Sequence, residues 1–117
     1  MPDTWCMRIH VPEGVPAVVS EAIEAANAHD TERFLDAFAA SGSVDDWGRM
    51  FTGRDEIRDW SDREFIGLHV TLDDLVFVEI PDGVAVRARV GGSGFNGPST
   101  FTFLVAGDTI ERMSITA

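Results

Sequence analysis

The 117-residue chain contains no lysine, no tyrosine and a single cysteine, Cys6. Each absence removes chemistry. Without lysine there is no Schiff base and no phosphate-loop lysine. All nine basic residues are arginine, a usage that genomic base composition explains without invoking function. Without tyrosine no phenol can donate to an oxyanion. One cysteine excludes an internal disulfide and a cysteine-based zinc cluster. Cys6 reads as a small apolar residue in a loose N-terminal segment rather than as a reactive thiol. Cations are scarce: nine against 20 acids, a net charge of −11. That argues against nucleic acid as a partner, since phosphates need clustered cations, and against anionic membrane surfaces. No apolar run approaches the ~20 residues of a spanning helix. The N-terminus MPDTWCMRIH lacks a basic segment followed by an apolar one, so no signal peptide and a cytoplasmic location are expected. His10, His29 and His69 are scattered without a ligand spacing such as HExxH, so neither a metal nor another cofactor is expected.

What is present suffices for one folded domain with a real core, since 44% of residues are hydrophobic. Pro2, Pro12 and Gly14 mark residues 1–14 as an arm, leaving 15–117 as the domain. Val15, Val19, Ala22, Ala26 and His29 recur at helical spacing, which predicts a helix from Pro16 to about His29. Asp30 suits the N-cap of a second helix, running through Phe34, Leu35 and Phe38 to about Ala40 before Ser41-Gly42-Ser43 stops it. Val44 to Thr52 reads as a short strand, and Arg54 to Phe65 as a third helix, ended by Gly67. The remainder reads as strands: His69–Ile80, Val84–Val90, Ser99–Val105 and Thr109–Thr116, with Pro81-Asp82-Gly83 and Gly107-Asp108 as turns. Hairpin-length loops imply an antiparallel meander, and a sheet with one apolar face needs a cover that the helices can supply. The expected architecture is α+β: N-terminal helices packed on the concave side of a curved antiparallel sheet.

Three groups of residues carry a family resemblance. They are Ala26-Asn27-Ala28-His29-Asp30 with Glu32 and Phe34; Val44-Asp45-Asp46-Trp47-Gly48-Arg49 with Phe51, Gly53, Ile57 and Trp60; and Phe101-Thr102-Phe103 with Gly107-Asp108, Ile110 and Met113. In order and spacing they resemble the nuclear transport factor 2-like superfamily, within it the SnoaL-like and ketosteroid isomerase-like branch, over about residues 15–117. The resemblance implies a cone-shaped α+β barrel with a pocket at its wide end, two copies pairing through the sheet, and a small apolar molecule as the partner. It does not fix an activity, because such folds host many functions.

The resemblance makes Asp46 the first catalytic candidate, by position the general base of isomerase-like members. A carboxylate there can take a proton next to a carbonyl if burial weakens its acidity; the alternative is a solvated Asp45-Asp46 turn. The isomerase's tyrosine would fall near Ala22 and its second acid near Ser99 or Thr100, so its oxyanion donors are missing. His69 is the second candidate, as donor or base, against the commoner structural role of a lone histidine. His29 suits a helix end. Trp47, Phe51, Trp60, Phe77 and Phe101 are candidate cavity-lining aromatics, though aromatics at such spacing are core by default. Arg87 and Arg89 share a strand face that more naturally points outward, pairing with acids. Gly91 to Gly97 fits a loop at a pocket mouth, not a phosphate cradle, since a strand follows. Three functions remain open: a cofactor-independent acid–base enzyme on a carbonyl-bearing apolar substrate, a non-catalytic ligand-binding domain, and a dimerisation module.

Overall fold

In the computed structural model residues 14–117 are described; Cys6, His10 and the expected arm, Gly14 apart, lie outside them. Pro16, with φ −58°, leads into α1 (Ala17–Asn27), whose buried side chains are Val19, Ala22, Ile23, Ala25 and Ala26. Three of these belong to the stripe read from the spacing. Asp30 caps α2 (Thr31–Asp36) as expected, its Oδ1 accepting from the Arg33 amide at 3.2 Å. Arg33 also pairs with Glu21 and Glu24, which fastens α2 to α1.

Two expectations are corrected in the next segment. The second helix does not reach Ala40: it ends at Asp36, and β1 (Phe38–Asp46) begins two residues later. Alanines at 37, 39 and 40 favour a helix, but Phe38 pairs with Ile110, and tertiary pairing overrides a weak local preference. Nor is 44–52 one strand. It folds back at Trp47-Gly48 into β2 (Arg49–Thr52), with Asp46 opposite Arg49. The turn is held by the Gly48 amide donating to Asp45 Oδ1 at 2.7 Å. Trp47 at φ 54° and Gly48 at φ 90° give the two left-handed residues of a two-residue hairpin loop.

Helix α3 (Arg54–Glu64) buries Ile57, Trp60 and Ser61. Arg54 Nη2 donates to the Phe38 carbonyl at 2.6 Å, and Arg58 pairs with Glu32, so α3 is tied to β1 and α2. A single 3-10 turn, Ile66–Leu68, follows. A Cβ on Gly67 would lie 1.7 Å from the Asp62 carbonyl oxygen, so this turn admits only glycine.

Strands β3 (Thr71–Ile80), β4 (Gly83–Gly91), β5 (Gly97–Ala106) and β6 (Thr109–Thr116) form the expected meander. The sheet order is β2-β1-β6-β5-β4-β3. It is mixed rather than wholly antiparallel, because β1 runs parallel to β6. Register shifts in β1, β3 and the β5–β6 pair bend the strands. On the concave face Val84, Val86 and Ala88 meet Phe101, Phe103 and Met113. The helices cover that face, and the architecture is the α+β one expected. The amide of Asn27 bonds both ways with the Leu72 backbone, at 3.1 and 2.7 Å, docking the end of α1 on edge strand β3. Arg87 and Arg89 point outward, Arg89 reaching Asp74 at 3.3 Å across the strand pair. Among the described residues no helix is long and apolar enough to cross a membrane.

Candidate functional site

At one end of the sheet the helices do not close fully over the concave face. A cavity of about 310 Å³ remains between α3, the 3-10 turn, the β1–β2 turn and the ends of β4 and β5. Trp60, Glu64 and Phe65 enter it from α3 and its end, Leu68 and Val70 from the turn that follows, and Val90, Ser99, Phe101 and Ile115 from the sheet. Asp46 and Trp47 form one lip; Gly94 and Phe95 form another.

The apolar wall is a connected set of rings. Trp60 stacks on Phe65 with centroids 4.9 Å apart and planes at 23°. Phe65 continues to Phe101 at 6.2 Å and to Phe34 at 5.5 Å. Helical spacing brings Trp60 and Glu64 to one side of α3, Phe65 follows from its non-helical C-cap, and strand alternation turns Ser99 and Phe101 to the same inner face. The two lips differ from the wall in exposure. Trp47 is 61% exposed and Phe95 59%, so two large rings stand in water at the mouth. Trp47 does so from a left-handed backbone that a bulky residue rarely adopts.

The polar corner centres on Arg49. Its Nη2 donates to Asp46 Oδ2 at 2.5 Å and to Glu64 Oε1 at 2.6 Å, and its Nη1 to Glu64 Oε2 at 3.0 Å. Trp60 Nε1 donates to the same Asp46 oxygen, Oδ2, at 3.0 Å. The Asp46 side chain is 14% exposed. Hydrogen bonding from Arg49 holds the Glu64 carboxyl below its ordinary value, with burial opposing in part. The two carboxylates, Glu64 foremost, in turn push the Arg49 guanidinium further up. Asp46 is thus oriented by an ion pair and an indole, and is not an isolated carboxylate in an apolar hole.

Residues 19–113 match the model of the SnoaL-like domain. The chain belongs to the SnoaL-like domain family. Among curated protein sequences none matches it. Among solved structures, a candidate polyketide cyclase of Sinorhizobium meliloti is 24% identical, covering 87% of this chain and 95% of that one, with a TM-score of 0.76. A protein of ketosteroid isomerase-like fold from Catenulispora acidiphila, solved with trimethylamine, is 25% identical over 88% of this chain and 86% of that one, with a TM-score of 0.69. A cystatin-fold protein of Novosphingobium aromaticivorans is 13% identical over 86% and 96%, with a TM-score of 0.74. The nuclear transport factor 2-like, ketosteroid isomerase-like resemblance read from the motifs is therefore correct.

Within this SnoaL-like domain, four of the residues singled out from the sequence line the cavity together: Asp46, Trp47, Trp60 and Phe101. Three do not. Phe51 sits behind Trp60, centroids 6.1 Å apart, and carries the Arg49 guanidinium 5.6 Å above its ring. Phe77 lies on edge strand β3 and packs against the core. His69 is exposed, with φ 56°, and meets the His29 ring edge-on at 5.3 Å. His29 Nε2 lies 3.1 Å from the Val70 carbonyl, so this histidine braces the start of β3. Arg63 Nη2 lies 3.9 Å from Glu64 Oε2. Glu64 joins the site without a signal in the sequence; Phe95 comes with the Gly91 to Gly97 loop expected at a pocket mouth, and Ser99 is one of the two positions where the resemblance puts an isomerase's second acid. Glu64 gains its place through Arg49, fifteen residues away in a different element, and no local pattern announces that contact.

Proposed function

We propose that this SnoaL-like domain is a small-molecule pocket protein whose ligand lies against Trp60, Phe65 and Phe101 and is oriented at one end by Asp46. The observation that carries this reading is the combination of one aromatic-walled cavity with one convergent polar corner, the usual form of a small-ligand site. The Catenulispora acidiphila relative, held with trimethylamine, supports a small molecule as occupant. Ser99 is the one hydroxyl side chain among the lining residues and supplies a second polar contact on the opposite wall.

Acid–base catalysis on an apolar carbonyl compound is the second reading, favoured by the position of Asp46 at the cavity lip. It is the weaker of the two. An aspartate base is strongest when it lacks a compensating cation, whereas Asp46 shares Arg49 with Glu64. No tyrosine is available as oxyanion donor, and the resemblance puts Ser99 or Thr100, neither of them an acid, where the second acid of an isomerase would fall.

The two readings separate in one experiment. A panel of small apolar carbonyl compounds and amines is titrated against the protein, following tryptophan fluorescence, and each mixture is then analysed by mass spectrometry. Binding with the ligand recovered unchanged supports the pocket reading. Turnover that disappears in Asp46→Asn, while binding persists, establishes the enzyme. If Trp60→Ala or Phe101→Ala binds every compound as the wild type does, this cavity is not where the ligand sits.

A further inference from the structure

Among the described residues, the ionisable side chains that line the cavity are of one sign. They are Asp46 and Glu64, with no arginine or histidine among the described residues. Their cations stand outside the lining: Arg49, 53% exposed and over the ring of Phe51, bonds both carboxylates, and Arg63, 56% exposed, comes only to 3.9 Å from Glu64. Within hydrogen-bond distance one guanidinium serves two carboxylates, and Arg63, exposed and 3.9 Å from Glu64, offsets the excess negative charge only in part. Both hydrogen bonds to Asp46 fall on Oδ2. The aromatic wall adds to the same preference, because ring faces are negative and attract cations. Trp47 and Phe95 place two further rings at the mouth. A concave, low-dielectric site concentrates such a field, and the charge of −11 on the whole chain has the same sign.

We propose that the cavity takes a small organic cation, an amine or quaternary ammonium with an apolar body, its charged end facing Asp46 and Glu64 and its body against Trp60, Phe65 and Phe101. This rests on the pocket reading above and adds the ligand's charge. An anion would meet two carboxylates. A neutral apolar ligand would desolvate the charged corner and gain no electrostatic contact in return. A cation offsets the excess charge and uses the rings as well.

The test pairs choline with its neutral isostere 3,3-dimethyl-1-butanol, titrated into the full chain by calorimetry. Choline is expected to bind roughly tenfold tighter, the scale of a partly desolvated cation–ring contact with a nearby charge. The variants then move in opposite directions. Asp46→Asn and Glu64→Gln each remove the excess charge and shrink the preference for choline. Arg49→Gln leaves Asp46 uncompensated and Glu64 with only the more distant Arg63, and enlarges it. Asp82→Asn makes the same change of charge in the distant β3–β4 turn and leaves the preference as it was, which separates a local site from attraction to an acidic surface. Equal affinity for the two probes overturns the cation assignment and leaves the pocket reading standing. Failure of both probes to bind the folded protein overturns both. If Arg49→Gln weakens choline as much as Asp46→Asn does, the network serves only to hold the lip in place and the proposal fails.

Discussion

At the scale of single residues, the corner formed by Asp46, Arg49, Glu64 and Trp60 joins three parts of the chain: the end of β1, β2 and α3. Asp46 was legible from the sequence because its neighbours resemble a family motif. Arg49 stands three residues on in the same motif, but its bond to Glu64, fifteen residues away in another element, declares itself only through packing. The same corner gives a pH dependence with a definite sign. Arg49 draws the folded-state Glu64 carboxyl below its ordinary value of 4.5, while the unfolded chain keeps that value. A depressed carboxyl contributes stability above the unfolded value and loses it as pH falls through the folded one. Glu64→Gln is therefore expected to lower stability at neutral pH by at most about 1 kcal/mol, because the pair is partly exposed and screened. The gap to wild type should stay constant down to about pH 5 and close below the ordinary carboxyl value. Urea unfolding at a series of pH values measures it. A gap that persists into strong acid would assign the stabilisation to packing of the glutamate stem instead.

Among the elements, helices and meander strands were readable because their periodicity is local. The segment 38–52 was not. Its alanines favour a helix, and its turn hides behind a tryptophan, a residue seldom found at positive φ. The available signal was Gly48 after two aspartates, since Asp45 accepts the Gly48 amide and closes the loop. A two-residue loop with both residues left-handed prefers Asn-Gly. Trp47→Asn supplies that pair and removes a bulky residue from a backbone costing about 1 kcal/mol or more. Trp47 is 61% exposed, so little packing is lost with it. The variant is expected to be more stable by about 0.5–1 kcal/mol and to bind ligand more weakly, because the lip has lost its ring. Thermal unfolding and ligand titration on the same sample check both halves. A less stable variant would mean that the indole's contacts at the lip outweigh the backbone strain, and a variant that binds ligand unchanged would remove Trp47 from the site. Strain retained beside a cavity mouth is the pattern expected where function, not stability, has chosen the residue.

Across the whole molecule, the α+β layering followed from the order of helical and strand patterns, but the sheet order did not. The parallel β1–β6 pair joins segments some seventy residues apart, and no loop length encodes it. Charge balance is legible at this scale, and it sets a further expectation. The net charge of the chain is −11. Like charges about 20 Å apart repel by about 0.2 kcal/mol per pair even in water. With an excess of eleven, many such pairs go uncompensated, and their sum exceeds the ~0.3–0.5 kcal/mol that each exposed ion pair typically returns. Salt screens both, yet the repulsion acts over longer distances and is screened more completely. The midpoint of thermal unfolding is therefore expected to rise between about 10 mM and about 0.5 M sodium chloride, where the screening length falls from about 30 Å to a few ångströms. Choline affinity, if the cavity takes cations, should fall over the same range. A midpoint that drops with salt would show that the ion pairs binding α1 to α2 and α2 to α3 outweigh the repulsion, and would make those pairs, not the core alone, the main support of the helical layer over the cavity.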